Sequence, residues 1–286
     1  MGTLVAFHAH PDDECISTGG SLARASAEGH RVVLVIATNG DFGEVPEDLA
    51  ENETLVDRRR VEVQRSAEIL GIHRVAWLGY KDSGMTGWEQ NADPESFLQA
   101  DLEAAAQRLA AILREEAADV LTTYDWHGNY GHPDHIKVHT VGHRAGALAG
   151  TPAIFEATVN RDAIVRWMEA ARAAGAELAD EFDPNGPSDD GNPMGTPESE
   201  LTHEVDVSAY TDRKKESIRC HVSQVTDTGF FLQMPDDAFN AAFGTEWFIK
   251  LGAEPGVRPG WLFETAPDVD TAIHTAIDVE AAQRSV

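Results

Sequence analysis

The motif HAHPDDE, residues 8–14, places two histidines and three consecutive acidic residues close together near the start of the chain. Adjacent carboxylates repel each other, so such a run is either solvated or held against a cation. A second His-Pro-Asp tripeptide occurs at residues 132–134, within YGHPDHIKVH. Each tripeptide follows an apolar run typical of a buried strand, which predicts that both lie where strands end.

The residues of the two motifs supply a set of metal ligands. His10, Asp13 and His135 would form a His₂Asp site, and catalytic zinc sites use three protein ligands and an open position for water. This composition suits hydrolysis better than redox chemistry, although iron(II) could occupy the same ligands. HPDD could instead form only a turn and a helix cap, because aspartate caps helices well. The recurrence of the tripeptide favours the metal site.

Three further side chains of these motifs could carry the catalytic steps. Asp12, next to Asp13, is a candidate general base that takes a proton from the attacking water. His132 lies about one helical turn before His135 and could act as an imidazolium on the oxyanion or the leaving group. Tyr130 could donate a second hydrogen bond to the oxyanion.

Other residues near the motifs are expected to have structural roles. His8 alternates with His10 along the first strand, which predicts a buried and hydrogen-bonded ring. His139 and His143 continue one face of the second motif's helix, and ordinary packing or solvent exposure is expected for both. Cys15 is expected to be a small packed side chain rather than a thiolate ligand.

The first half of the chain alternates between strand and helix patterns. Apolar runs such as RVVLVIAT indicate strands that are buried on both faces, and LVDRRRVEVQRSAEILG indicates an amphipathic helix ending at Gly71. This alternation predicts a mostly parallel sheet flanked by helices, which binds ligands beyond the carboxyl ends of its strands. The G-x-G-x-x-G spacing of dinucleotide sites does not follow the first strand.

Residues 158–286 have a different pattern from the core, residues 1–157. We expect them to form a C-terminal α+β cap on the same domain, since no linker separates the two parts. A turn-rich acidic stretch at 183–199 predicts either a disordered bulge or a lid over the substrate.

Composition restricts the partners of this 286-residue chain. With 49 acidic and 22 basic residues, the formal charge of −27 should repel nucleic acid and anionic membranes. The sequence contains neither an apolar stretch of membrane-spanning length nor a secretory signal pattern, so a cytoplasmic location is expected. Cys15 and Cys220 do not make a disulfide framework. A small-molecule substrate is expected, and a homo-oligomer is compatible with the sequence.

Together, HAHPDDE and YGHPDHIKVH resemble the hallmark motifs of the LmbE-like or PIG-L family of zinc-dependent de-N-acetylases. LGYKDSGM and IRCHVSQV are similar to its mycothiol branch, which contains a deacetylase and an S-conjugate amidase. The resemblance extends to about residue 235. It implies a Rossmann-like sheet with a C-terminal cap, zinc on His10, Asp13 and His135, and Asp12 as the general base.

The same resemblance implies roles for residues that spacing alone does not single out. Asp134 would orient His132, and Arg59, in an R-x-x-E pattern with Glu62, would bind the polar substrate. Asp82 would contact a sugar, and His221 would line the side of the site facing the cap.

The sequence departs from the branch at the edges of the motifs. Serine is usual where Cys15 stands, and Gly-Glu is usual where Gly40-Asp41 stands. Trp126, beside the second motif, has no obvious core to join and predicts an altered mouth that accepts bulkier, partly apolar amides.

These observations predict a zinc amide hydrolase acting on an N-acyl amino sugar of the N-acetylglucosaminyl-inositol type. An amidase of a thiol conjugate or a secondary metabolite is the alternative. A metal-dependent sugar-binding module without catalysis is a third hypothesis. The retention of Asp12 and His132 argues against the third, because binding alone needs neither.

Overall fold

The computed structural model describes residues 1–173, 183–224 and 232–263. Within these ranges eight strands form one sheet in the order β3-β2-β1-β4-β5-β7-β6-β8. The strands are β1 Thr3–His8, β2 Arg31–Thr38, β3 Arg74–Tyr80, β4 Val120–Tyr124, β5 Ala153–Thr158, β6 His203–Asp206, β7 Thr245–Lys250 and β8 Arg258–Pro259. The α-helices are α1 Asp13–Ser17, α2 Gly19–Ala27, α3 Leu55–Leu70, α4 Leu102–Glu115, α5 Gly128–Gly131, α6 Pro133–Ala149, α7 Arg161–Ala173, α8 Thr211–Ile218 and α9 Asp236–Phe243.

The first five strands are parallel to one another, which confirms the predicted mostly parallel sheet. Strand β1 lies at the point where the strand order reverses, with β2 on one side and β4 on the other. Ligand crevices in such sheets form at this switch point, outside the carboxyl ends of the strands. HPDDE follows β1 and HPDH follows β4, so the topology brings the two motifs to the same crevice.

Both faces of the central strands are buried, as their uninterrupted apolar runs predict. On β1, Val5 and Phe7 belong to a core cluster shared with α4 and α6. The alternating residues Leu4 and Ala6 join a second cluster on the other face, with Leu22 of α2. Side chains of successive strand residues point to opposite faces, so β1 is anchored from two sides.

Local signals set the helix boundaries. Helix α3 begins at a capping box between Thr54 and Asp57 and ends at Gly71, which has a left-handed backbone (φ 76°), as predicted. Helix α4 begins at Leu102, seven residues after the start of the sequence stretch ESFLQADLEAAAQRLAAILREEAA. The carboxylate of Asp101 accepts the Ala104 N–H and caps the helix there.

The C-terminal part contributes strands to the same sheet. Strand β7 pairs antiparallel with β5, β6 pairs antiparallel with β7, and β8 extends the edge. Of the region expected to form a cap, residues 174–182, 225–231 and 264–286 lie outside the described residues. Helix α8 packs on α1, α2 and α3, next to the loop that follows β1.

The acidic stretch 183–199 packs beside the HPDH loop. The N–H groups of Asp189 and Gly195 donate to the carbonyls of Tyr130 and Asn129. The Asp189 carboxylate accepts the Thr86 N–H at 3.0 Å. These contacts place the stretch over one wall of the crevice. No helix among the described residues is long and apolar enough to cross a membrane.

Candidate metal and catalytic site

The loop after β1 bends sharply at Asp12, which has φ 92° and ψ −29°. A residue with a side chain is strained in this region, and such strain is common at active sites. The Glu14 carboxylate accepts the Asp12 N–H at 3.0 Å, which stabilises the bend. Because of the bend, the carboxylate of Asp12 contacts Arg59, whereas that of Asp13 accepts the His10 N–H.

The three residues predicted to bind a metal converge in the structure. Asp13 Oδ2 lies 3.4 Å from His10 Nδ1 and 3.4 Å from His135 Nε2. With metal–ligand bonds of about 2.0–2.1 Å, the edge of a tetrahedron is about 3.3–3.4 Å. The two separations therefore match ligands that share one tetrahedral cation.

The hydrogen bonding of His135 supports its assignment as a ligand of the same cation. Its Nδ1 lies 3.2 Å from the Gly128 carbonyl, so Nδ1 carries the proton and Nε2 is left with a lone pair. Nε2 is buried and has no hydrogen-bond partner among the described residues. A carbonyl that holds one ring nitrogen while the other faces a metal is the usual environment of a ligating histidine.

The site concentrates negative charge. Five carboxylates interact with one another and with the histidines around it, those of Asp12, Asp13, Glu14, Asp82 and Asp134. Burial opposes ionisation of Asp13, but the imidazoles of His135 and His10 hold its pKa well below the usual range. Buried charges of one sign are costly unless they are paired, so this environment favours a divalent cation.

Asp12 has the environment of a base. Burial and the neighbouring Asp13 raise its pKa to about 6, although the guanidinium of Arg59 opposes the rise. Arg59 Nη2 lies 3.1 Å from Asp12 Oδ2. A carboxyl group tuned toward neutral pH suits general base catalysis.

Arg59 has a different position from the one expected. We predicted that it binds the polar substrate, but the side chain is buried and bonds the carbonyls of Gly40 and Pro11 besides Asp12. Helix α3 aims it at the underside of the β1 loop. Its contacts fit a role in positioning Asp12.

His132 stands at the N-cap of α6, where its Nδ1 accepts the Asp134 N–H at 3.1 Å. Burial and the neighbouring rings of His10 and His135 lower its pKa to about 2. The ring is therefore neutral at physiological pH, with its proton on Nε2, and differs from the imidazolium that we expected. A neutral ring still offers an N–H donor.

Asp134 also departs from its expected role. Its carboxylate does not orient His132, which it contacts only through the backbone. It accepts the Ser83 N–H at 2.8 Å and the Ser83 hydroxyl, and Oδ2 lies 3.3 Å from His10 Nε2. Pro133 starts α6 and leaves His132 as the cap, so the carboxylate of Asp134 turns toward β1.

Asp82 and Tyr130 lie at the same centre. Asp82 Oδ1 is 3.5 Å from His10 Nε2 and accepts the Gly84 N–H, so this carboxylate is directed at His10 and is only 5% exposed. The Tyr130 ring lies 4.9 Å from the His135 ring. Burial raises the pKa of Tyr130, so its hydroxyl stays protonated and can donate.

His221 is closed off from the crevice, although we expected it to line the cap side. It is fully buried, and its Nε2 lies 2.9 Å from Glu14 Oε1. Burial opposes protonation, but Glu14 raises the pKa of His221. Through Glu14, which also accepts the Asp12 N–H, His221 stabilises the loop after β1 from the protein interior.

Sequence reasoning missed two supporting residues. The Glu14 carboxylate accepts the Asp12 N–H and the Ser66 hydroxyl and contacts His221. Ser83 donates its N–H and its hydroxyl to the Asp134 carboxylate. Glu14 belongs to the HPDDE motif and Ser83 to KDSGM, but each acts through a partner distant in sequence. The only sequence signal for either residue was its position inside a motif that had already been singled out.

The remaining predicted residues lie outside this centre. Trp126 is 55% exposed, with its ring 4.7 Å from that of His127, and joins no core cluster of the residues that the structure describes. His8 is buried between Tyr124 and Thr18, as predicted. Cys15 is packed against Ile218 and Phe239, also as predicted.

Comparisons with known proteins agree with the motifs. The PIG-L family model, described as GlcNAc-PI de-N-acetylase, matches residues 5–145. A 1D-myo-inositol 2-acetamido-2-deoxy-alpha-D-glucopyranoside deacetylase of Streptomyces griseus is 37% identical, over 90% of this chain and 85% of that protein.

Two solved structures share the fold of this chain but differ in the reaction that their names give. N,N'-diacetylchitobiose deacetylase of Pyrococcus horikoshii is 22% identical with a TM-score of 0.56, over 94% of this chain and 88% of that one. 4-Carboxy-2-hydroxymuconate hydratase of Pseudomonas putida is 16% identical with a TM-score of 0.53, over 90% and 98% of the two chains. Because a deacetylase and a hydratase share the fold, these likenesses establish the fold and leave the reaction to the site.

Proposed function

Since this chain belongs to the PIG-L family of de-N-acetylases, we propose that it hydrolyses the acetamide of an N-acetylglucosaminyl-inositol. Water cleaves the amide to acetate and the free amino sugar. The 37% identical relative is named as a deacetylase of such a glucosaminide. The observation that carries the proposal is the position of Asp13 Oδ2, 3.4 Å from both His10 Nδ1 and His135 Nε2.

We assign a divalent cation to His10, Asp13 and His135, with zinc as the ion and iron(II) as the alternative. When bound, such a cation polarises a carbonyl and lowers the pKa of water. The carboxylates of Asp82 and Asp134 lie 3.5 Å and 3.3 Å from His10 Nε2, which fits partners that orient this ligand.

The chain's own residues then move the protons. Asp12 accepts a proton from the attacking water, and Arg59 Nη2 holds the carboxylate in place from 3.1 Å. The Nε2–H of His132 and the hydroxyl of Tyr130 donate to the oxyanion of the tetrahedral intermediate. Protonated Asp12 returns the proton to the departing amine, which completes the cleavage.

The test measures acetate and free amine released from N-acetylglucosaminyl-inositol by the purified protein, with and without a chelator. We expect equal amounts of both products, loss of activity on chelation and recovery with added zinc. A protein that cleaves only thiol-conjugate amides would be the alternative amidase. If neither substrate is cleaved by the metal-loaded protein, the proposal fails, and the amidase of a secondary metabolite and the binding module are the hypotheses left.

Trp126 provides a test of substrate size. The exposed indole stands next to the loop that leads to His132, which supports our expectation of a mouth that accepts bulkier amides. Trp126→Ala should lower kcat/KM for a bulky, partly apolar conjugate more than for the acetyl sugar. Leu251→Ala is a control, because Leu251 is also about half exposed but follows β7 next to the amino end of β5, at the opposite edge of the sheet from the site. A strong preference for the acetyl sugar, unchanged by Trp126→Ala, would contradict this expectation.

A further inference from the structure

A second group of metal-binding side chains lies outside the catalytic centre. His139 and His143 project from the same face of α6, and Glu156 projects from the neighbouring strand β5. Each residue offers one ligand atom, and these atoms lie within 4.8 Å of one another. Glu156 Oε1 is 2.8 Å from His143 Nε2 and 3.5 Å from His139 Nδ1.

The histidines of this cluster resemble the ligand His135 in two respects. His143 Nε2 is buried and makes no hydrogen bond with the described residues, although a carboxylate oxygen lies 2.8 Å away. The Tyr124 carbonyl accepts a hydrogen bond from His139 Nδ1 at 3.0 Å, as that of Gly128 does from His135 Nδ1, so the nitrogen of His139 left for a cation is Nε2. A ring that is fixed by a backbone carbonyl through one nitrogen, with the other nitrogen left for a cation, is a feature of ligating histidines.

The sequence predicted ordinary packing or solvent exposure for this histidine pair. The spacing along α6 places both rings on one face of the helix but does not show what lies opposite them. The fold adds Glu156, which is mostly buried and has both imidazoles as its ion-pair partners in the described structure. The side chains of His139 and His143 are 19% and 25% exposed, so a cation from solvent can reach them.

We propose that His139, His143 and Glu156 form a second divalent-cation site, independent of the catalytic centre. Two imidazoles and one carboxylate suit borderline ions such as Zn²⁺, Ni²⁺ and Cu²⁺, with water in the remaining positions. Because the cluster is partly exposed, the site binds its ion reversibly and more weakly than the buried centre. The formal charge of −27 raises the local concentration of cations.

The experiment starts from protein carrying one equivalent of metal and measures uptake of further Zn²⁺ by equilibrium dialysis with elemental analysis. Wild type should take up a second equivalent. His143→Ala and Glu156→Gln should weaken this step roughly tenfold or more, since even indirect support of a metal is worth that much. Arg144→Ala is the control on the same helix, because its side chain pairs with Glu103 away from the cluster.

Copper provides a second readout that does not depend on affinity. Cu²⁺ added to the one-equivalent protein should give an electron paramagnetic resonance spectrum with hyperfine coupling to two imidazole nitrogens in wild type. His143→Ala should leave coupling to one, and His143→Gln serves if the alanine variant does not fold. The proposal is overturned if wild type takes up no second equivalent. It is also overturned if the second equivalent persists unchanged in His143→Ala and Glu156→Gln, which would locate it elsewhere.

Discussion

Asp12 combines a strained backbone with a carboxylate whose pKa is raised to about 6. The strain separates its side chain from that of Asp13, so that one carboxylate faces the histidines and the other faces Arg59. Glu14 and His221 hold the bend from the protein interior. Neighbouring residues of one motif thereby acquire different chemistry.

We expect Asp12→Asn to retain the metal and to lose about 10²- to 10⁴-fold in kcat, the usual contribution of a general base. The amide has the shape of the carboxylate but cannot accept the proton. Elemental analysis and initial rates measure the two properties. Asp48→Asn changes the net charge equally at an exposed position and should leave both unchanged. Near-normal turnover of Asp12→Asn would exclude Asp12 as the base.

The two histidines of HPDH should respond differently to truncation. His135→Ala should lose the metal, because its Nε2 faces Asp13 Oδ2. His132→Ala should keep the metal and lower kcat by about 10²-fold or more, as expected for removal of an oxyanion donor. Metal content and kcat of the two variants decide between these roles. Loss of metal from His132→Ala would contradict the assignment.

At the scale of elements, a buried ion pair joins α8 to the sheet. Lys214 Nζ lies 2.6 Å from Glu246 Oε1 of β7, and both side chains are almost fully buried. The Glu246 carboxylate also accepts the N–H groups of Gly20 and Ser21 at the start of α2. These contacts tie the late helix α8 to the elements next to the β1 loop.

Removing one partner should therefore be costly. Lys214→Met leaves the Glu246 charge buried without its cation, and we expect it to lower the free energy of unfolding by about 3 kcal/mol. Lys81→Met is the control, because the half-exposed Lys81 pairs with Asp93 and Glu95 at the surface, and its cost should stay below about 1 kcal/mol. Urea unfolding measures both variants. Equal losses would show that the burial of the pair does not matter.

His203 on β6 should make stability depend on pH. Burial, with the nearby Arg258 and Lys250, lowers its pKa from 6.5 to about 4. The folded state favours the neutral ring, so its contribution is complete above the unfolded pKa and is lost as pH falls through this window. His203→Gln should flatten the dependence of the urea midpoint on pH between about 6.5 and about 4. If the pH dependence of the urea midpoint is the same in His203→Gln, His203 does not contribute to it.

At the scale of the whole molecule, the proposed ligands come from the ends of two strands that are distant in sequence. His10 and Asp13 follow β1, and His135 lies in α6 after β4. A cation that binds them joins these elements only in the folded chain, so binding adds directly to stability.

Chelation should lower the melting temperature. At a metal concentration about 100 times Kd, the linkage is worth about 2.7 kcal/mol. We expect a calorimetric scan to show this shift for wild type and to lose it in His135→Ala. His143→Ala should keep the shift at one equivalent of metal, because the cluster it alters is separate. A wild-type melting temperature that is indifferent to chelation would count against a cation at this centre.

The sequence by itself determined the sheet class and which residues of the two motifs meet at the site. Apolar runs report burial on both faces of a strand, and Gly71 reports where α3 ends, because both signals are local. His10, Asp12, Asp13, His132 and His135 could be singled out because two copies of one tripeptide follow strands. Parallel strands then bring those ends to one edge.

Only the tertiary structure decided how the partners are arranged around that edge. Arg59 faces Asp12, the Asp134 carboxylate faces His10 and Ser83, and His221 is buried against Glu14. Each of these contacts joins elements far apart in sequence, and its geometry depends on how helices pack on the sheet. The same holds for Glu156, which turns an unremarkable histidine pair into a cluster of three ligands. Side-chain direction depends on packing between elements, which residue spacing within one element does not specify.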